Sequence, residues 1–275
     1  MIADSQLQEY LLVATDLAHR GGSLAKDLFG KTACSQKSDR SVVTEADKRV
    51  QDLIVEDLTR RYPTHGLIAE ESTELACSRP RGDADFVWSI DPIDGTRNYA
   101  SGVSVYCCSV ALLYRGTPIV GAIYEPNLDY LFSASSNTPS TLNGQPIIVK
   151  HRSFSRETVL AFTIGTYAQR PAYLHHIMDR CTMRNSGSAA LQLAMAAAGM
   201  IDLTINCTVK LWDIAAGALI VERAGGVVHP IDANNRLIEK SLWPMDLKNY
   251  TDALIPLAAG GQPQMSELQL IMESL

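Results

Sequence analysis

This 275-residue sequence has no apolar run of membrane-spanning length, no long basic run and no Cys-x-x-Cys pair. Each absence excludes something. Without roughly 20 consecutive apolar residues there is no candidate transmembrane helix. A net charge of −6 with no block of Lys or Arg argues against gripping a nucleic acid polymer through its phosphates. The six cysteines, Cys34, Cys77, Cys107, Cys108, Cys181 and Cys207, lack zinc-site spacing and read as unpaired buried thiols in a reducing compartment. The opening Met1-Ile2-Ala3-Asp4-Ser5-Gln6 lacks a basic region and a signal-type apolar core, so a cytoplasmic location is expected. Neither a P-loop, nor His-Glu-x-x-His, nor Gly-x-Ser-x-Gly occurs. The histidines show no metal spacing, and His175-His176 reads as a surface pair.

Hydrophobic residues make up 46% of the chain and charged residues 20%, an ordinary globular balance with length for a full core. Apolar spacing of three and four from Leu7 through Leu28 predicts a long first helix ending near Gly30. A second runs from Thr44, a good N-cap, to about Tyr62 before Pro63. Leu67-Ile68-Ala69 reads as a short strand delivering Glu70 and Glu71, and residues 72–85 as a loop. Further strands are expected at Phe86–Ile90, Val105–Leu113, Ile119–Tyr124, Leu131–Ser135, Thr158–Phe162, Asp202–Ile205 and Val227–Val228. Helices are expected near His175–Arg180, at Ser188–Ala198 closed by Gly199, at Ile214–Ala224 entered through Asp213, and at Ser266–Leu275. The turn-rich Asn137–Gly144 stretch suggests an internal boundary, giving an N-terminal metal-binding half over 1–145 and a C-terminal half over 146–275 within one compact unit. The irregular alternation favours layered mixed sheets of α+β type over a doubly wound parallel sheet.

Chemistry concentrates in Trp88-Ser89-Ile90-Asp91-Pro92-Ile93-Asp94-Gly95-Thr96-Arg97-Asn98. Pro92 denies the ladder a donor, so the strand is expected to stop at Asp91. Asp91 and Asp94 then share a bend, with the Gly95 and Thr96 amides facing the same space, a set suited to a divalent cation and a phosphate. The other acids carry competing readings. Asp47, three residues after Thr44, suits the first turn of a helix, Asp213 could be a simple N-cap, and Glu70-Glu71 a solvated pair at a strand end. Converging carboxylates would repel and raise one another's pKa values, which Mg²⁺ would relieve. An EF-hand does not fit the spacing.

Four ordered motifs resemble the inositol monophosphatase family of Mg²⁺-dependent, lithium-sensitive phosphatases. They are Lys37-Ser38-Asp39-Arg40-Ser41-Val42-Val43-Thr44-Glu45-Ala46-Asp47, then Ile68-Ala69-Glu70-Glu71-Ser72, then Asp91-Pro92-Ile93-Asp94-Gly95-Thr96-Arg97-Asn98-Tyr99, and finally Leu211-Trp212-Asp213-Ile214-Ala215-Ala216-Gly217 followed by Glu222-Arg223-Ala224-Gly225-Gly226. The resemblance implies an α-β-α-β-α sandwich, a homodimer, and two or three Mg²⁺ ions acting on a small phosphorylated substrate. Glu70, Asp91, the Ile93 carbonyl and Thr96 would surround one ion. Asp91, Asp94 and Asp213 would hold a second, and Glu70 a weaker third through water. Thr96 with Asp47 would activate water, Glu71 assisting, while Gly95 and Thr96 amides bind phosphate. Lys37 would add positive charge. Gly187, Ser188 and Ala189 match the family's polyol-contacting segment. Asn206 stands seven residues before Asp213, where inositol phosphatases usually carry a substrate-binding Glu. Lys210, near Asp213, could favour a second negative group on the substrate.

Inositol monophosphate leads the expected substrates, followed by histidinol phosphate, a nucleotide 3′,5′-bisphosphate and a sugar bisphosphate. A catalytically silent homologue and a calcium-binding module are the competing classes. Completeness of the acid set and of Thr96 speaks against the first, and dependence on Mg²⁺ rather than Ca²⁺ would exclude the second.

Overall fold

The computed structural model describes residues 2–36, 42–77, 83–163, 171, 173–250 and 253–274. The segment Lys37–Ser41, and with it the expected role of Lys37, lies outside them, as do the side chains of Cys34 and Cys77.

Helices α1 (Asp4–Leu28) and α2 (Glu45–Arg61) form the first layer. A short ladder, β1 (Cys34–Gln36) with β2 (Val42–Thr44), connects them. The second layer is a seven-stranded sheet in sequential order. It runs β3 (Gly66–Ala69), β4 (Phe86–Asp94), β5 (Cys107–Tyr114), β6 (Thr117–Glu125), β7 (Tyr130–Ser135), β8 (Thr141–Leu142) and β9 (Gln145–Pro146). β3 and β4 are parallel and the remaining pairs antiparallel. Two turns between neighbouring strands, Arg115-Gly116 and Asn143-Gly144, have positive φ at both residues, as tight hairpins of right-twisted strands require.

Side chains alternate across this sheet. Trp88, Ile90, Cys108, Val110 and Leu112 pack on α1 and α2. Val87, Cys107, Ala111 and Leu113 pack the other way. Their partners are α6 (Ala189–Ala197) and α7 (Leu211–Arg223), the central helical layer. Both faces are therefore buried, which explains why β5 reads as an apolar run broken only by Ser109.

A five-stranded sheet forms the fourth layer. Its members are β10 (Val159–Thr163), β11 (Thr182–Arg184), β12 (Leu203–Asn206), β13 (Val227–Pro230) and β14 (Leu257–Gly260), in the order β11-β10-β12-β14-β13. On its outer side α5 (Tyr173–Met178) and α8 (Gln262–Glu273) complete the sandwich. The α-β-α-β-α order expected from sequence is the observed one.

Several local expectations differ. Strand β4 continues through Pro92 to Asp94 instead of stopping at Asp91. Asp91 faces Ser109 while Asp94 faces Cys107, so β4 carries one residue more than its partner across this interval. That bulge accommodates a residue without an N–H. The 72–85 loop holds one helical turn, α3 (Glu74–Cys77). Helix α7 begins two residues before Asp213, which is its third residue and not its N-cap. Strands β11 and β14 carried no clear sequence signal. Cys107, Cys108, Cys181 and Cys207 are free thiols, the first two buried and the others half-buried. His175 and His176 are exposed. Among the described residues no helix is long and apolar enough to cross a membrane.

Leu112 is fully buried between α1 and the seven-stranded sheet. Leu112→Ala is expected to lower the unfolding free energy by about 2–5 kcal/mol, read from urea denaturation. A loss below about 1 kcal/mol would contradict this packing.

Candidate active site

The β4 bulge decides the geometry. In a regular strand Asp91 and Asp94, three residues apart, would face opposite sides of the sheet. The extra residue returns Asp94 to the side of Asp91. The Ile93 amide donates to Asp91 Oδ1 at 3.0 Å, fixing the bend. Gly95, with φ +100°, then turns the chain into the single-turn helix α4 (Thr96–Ala100). A side chain at Gly95 would strike the Val105 carbonyl.

Asp213 arrives from the first turn of α7, where its Oδ2 accepts the Lys210 amide at 2.7 Å. It supports the helix start from the N3 position and also converges on the other acids. Ligand oxygens of Asp91, Asp94 and Asp213 lie within 4.8 Å of one another. Asp94 is held from a third direction, the start of α6. Its Oδ2 accepts the Ser188 hydroxyl at 2.5 Å and the Ala190 amide at 2.7 Å. Cys107 Sγ lies 3.9 Å from the same oxygen.

Asp47 caps α2 and also meets Thr96. Its Oδ2 accepts from the Thr44 amide at 2.7 Å and the Thr44 hydroxyl at 2.5 Å, a capping box that starts α2. Its Oδ1 lies 3.2 Å from the Thr96 hydroxyl, which is also 3.0 Å from the Ile93 carbonyl.

These groups surround a cleft of about 770 Å³ whose wall includes Glu70, Asp91, Ile93, Asp94, Gly95, Thr96, Gly187, Ala189 and Asp213. Asp47 and Glu71 are buried behind that wall, Glu71 with its backbone clasped by the Gln51 amide. Ser188 is fully buried with its hydroxyl engaged on Asp94. Asn206 is also fully buried. Its Nδ2 donates to Thr204 at 3.1 Å, and its Oδ1 has no hydrogen-bond partner among the described residues. Lys210 places its Nζ 4.9 Å from the centre of the Trp212 ring, a cation–π contact.

The cleft also takes in Asn98, Thr163, Asn185, Thr208 and Val209, which sequence reading gave no role. Asn98 Nδ2 donates to the Val105 carbonyl at 2.7 Å and the Ser186 carbonyl at 2.6 Å, tying the signature motif to the loop before α6. That loop passes so close that a side chain on Gly187, with φ +76°, would meet the Asn98 amide. Thr163 and Thr208 sit at or just after the ends of β10 and β12. The general placement of ligands beyond the carboxyl ends of parallel strands was the available signal.

Electrostatics confirm that the acids are mismatched to a metal-free interior. Burial, with Glu70, Asp94 and Asp213 nearby, drives the Asp91 carboxyl far above its usual range. Burial also raises Asp94, against the opposing donors Ser188 and Ala190. Asp213 is pushed up to about 7 by burial and by Asp94. Carboxylate oxygens at this spacing suit a hard divalent cation such as Mg²⁺, whose charge removes the mutual repulsion. Asp91, Asp94 and Asp213 have the donor chemistry to hold one, and Glu70 and the Ile93 carbonyl share the cleft with them.

The folded chain binds these protons more tightly than the unfolded chain. Metal-free stability from this cluster is thus full below the ordinary carboxylate range and is lost as pH rises through about 7. The melting temperature of metal-free protein is expected to fall between about pH 5 and about pH 8, and Mg²⁺ to raise it more at the upper end. A flat metal-free profile with no pH-dependent Mg²⁺ effect would contradict the cluster.

The sequence model of the inositol monophosphatase family matches residues 6–259. Inositol-1-monophosphatase of Synechocystis is 35% identical over 244 residues, covering 85% of this chain and 83% of the relative. Fructose-1,6-bisphosphatase/inositol-1-monophosphatase of Aquifex aeolicus is 32% identical over 230 residues, covering 80% and 85%. The solved structure of inositol monophosphatase from Anabaena superposes with a TM-score of 0.80 at 29% identity, covering 98% of this chain and 97% of that one. The chain belongs to the inositol monophosphatase family, whose members are metal-dependent phosphoric monoester hydrolases.

Proposed function

We propose that the chain hydrolyses a small soluble phosphomonoester, inositol monophosphate first among them, by direct attack of water. The observation that carries this reading is the convergence of Asp91, Asp94 and Asp213 on one cleft beside the Thr96–Asp47 pair. Glu70, Asp91, the Ile93 carbonyl and Thr96 would hold one Mg²⁺, and Asp91, Asp94 and Asp213 a second, with Glu70 toward a weaker third. When bound, the metal polarises the phosphoryl group, lowers the pKa of water and stabilises the leaving alkoxide.

The chain's own groups supply position and proton movement. The Thr96 hydroxyl has Asp47 Oδ1 and the Ile93 carbonyl as acceptors, so its lone pairs are turned to receive a water proton. Burial raises the proton affinity of Asp47, which suits it to take that proton through Thr96, with Glu71 assisting. The Gly95 and Thr96 amides, at the start of α4, carry N–H groups that a phosphate oxygen can accept from. Water oxygen bonds to phosphorus, the ester P–O bond breaks, and the alcohol leaves with a proton. Gly187 and Ala189 bound the alcohol side, with Ser188 buried behind them on Asp94. Asn206, neutral and buried, acts from behind it, and Lys37 adds charge. Lithium inhibition, a homodimer and a cytoplasmic location complete the reading, supported by family membership and composition.

The bifunctional name of the Aquifex relative favours a second reading, a sugar bisphosphate as substrate. Both are tested by assaying a panel of phosphomonoesters with Mg²⁺, with and without lithium. Inositol 1-phosphate is expected to give the highest kcat/KM and lithium to inhibit. Histidinol phosphate or fructose 1,6-bisphosphate winning by a wide margin would overturn the first choice. Asp94→Asn is expected to lower Mg²⁺-dependent phosphate release by about 100-fold or more. Unchanged turnover would remove Asp94 from the machinery.

A further inference from the structure

Behind the cleft lies a buried polar chain centred on Gln192, in an otherwise apolar helix, α6. The residue is 1% exposed, so its amide must find partners within the protein. It finds four. Nε2 donates to Ser186 Oγ at 3.0 Å and to the Phe162 carbonyl at 3.4 Å. Oε1 accepts from Thr163 Oγ1 and Thr204 Oγ1, both at 3.2 Å. The orientation of the amide is settled by Phe162, because a backbone carbonyl can only accept. Oε1 therefore faces the two threonines, and both must donate to it.

A threonine hydroxyl has a single proton. Thr204, with its proton on Gln192, accepts in turn from Asn206 Nδ2 at 3.1 Å. Thr163 stands at the end of β10 on the cleft wall. With its proton directed inward to Gln192, its hydroxyl has only lone pairs left to offer. Asn206, its register partner on β12, is fully buried and is not part of that wall, so Thr163 is the acceptor that the cleft meets.

We propose that Gln192 is a specificity-determining positioning residue. By holding the Thr163 proton it makes this wall an uncharged hydrogen-bond acceptor that selects a substrate hydroxyl able to donate. The proposal rests on the polyol-phosphate reading above and narrows it, since a ketone, ether or second phosphate presented here would set lone pairs against lone pairs.

The test compares kcat/KM for inositol 1-phosphate with that for each of its monodeoxyfluoro analogues, in which fluorine keeps nearly the size of a hydroxyl but cannot donate. For one analogue the wild type is expected to lose about tenfold relative to the parent, the worth of one hydrogen bond. Gln192→Leu frees the Thr163 proton to turn toward the cleft, so that same ratio should shrink to about threefold or less. Gln192→Glu keeps an acceptor for both threonines and should preserve the ratio. Thr163→Val should flatten it without relying on the Gln192 variant to fold, and the double variant should add nothing further. Inductive effects of fluorine cancel in the comparison between variants. A purely structural role for Gln192 would lower parent and analogue together and leave the ratio fixed, which overturns the proposal. Wild-type hydrolysis of inositol phosphate with no discrimination against any analogue would also overturn it, leaving the function reading intact. Absence of inositol phosphate hydrolysis would overturn both.

Discussion

Three carboxylates with oxygens within 4.8 Å of one another in a buried cleft are an unstable arrangement by themselves. Like charges at that spacing in a poorly solvated site drive protons back on, and Asp91, Asp94 and Asp213 are all raised. The rest of the molecule is arranged so that they nevertheless meet. Each is fixed by a different element: Asp91 by an Ile93 amide on β4, Asp94 by Ser188 and Ala190 at the start of α6, Asp213 by the Lys210 amide at the start of α7. Such a site gives up stability in its metal-free form in exchange for ligands that need little rearrangement when a cation arrives.

The layers serve that meeting. The seven-stranded sheet, its central strands buried on both faces, holds β4 between β3 and β5, and the central helices α6 and α7 bring their first turns to it. The β4 bulge is the local device that lets two acids three residues apart act on one side. Asn98 then joins this motif to the Ser186–Gly187 loop, so two sides of the cleft are tied together directly. Gln192 continues the connection inward, from Ser186 to Thr163 and Thr204.

Much of this was legible in the residues, and the exceptions share a cause. The helix start at Thr44 followed from capping and periodicity, which are local, and the five-layer order from the family resemblance of the ordered motifs. The acids were legible because they stand in ordered motifs at strand and helix ends. Pro92 misled, since its missing N–H argues for a strand end and only the partner strand reveals a bulge. Strand β14, Leu257-Ala258-Ala259-Gly260, has no β-branched residue and is a strand because β12 and β13 flank it. Asn206 shows the same limit at the site. Its place in the motif suggested a substrate contact, but whether a side chain reaches the cleft depends on neighbours such as Thr204, and here it is sealed behind them. Gln192 carried no local signal, because a glutamine in an alanine-rich helix gains meaning only from the strands that later pack on it.

The central claim, that the converged carboxylates are a divalent-cation site, is tested most directly by anomalous diffraction from crystals grown with Mn²⁺, a scatterer that accepts the same oxygen ligands as Mg²⁺. The account predicts an anomalous peak at coordination distance from Asp91 and shared with Asp94 and Asp213. Fully ordered side chains at Asp91, Asp94 and Asp213 with no peak between them, at saturating Mn²⁺ and a pH above 7, would contradict it.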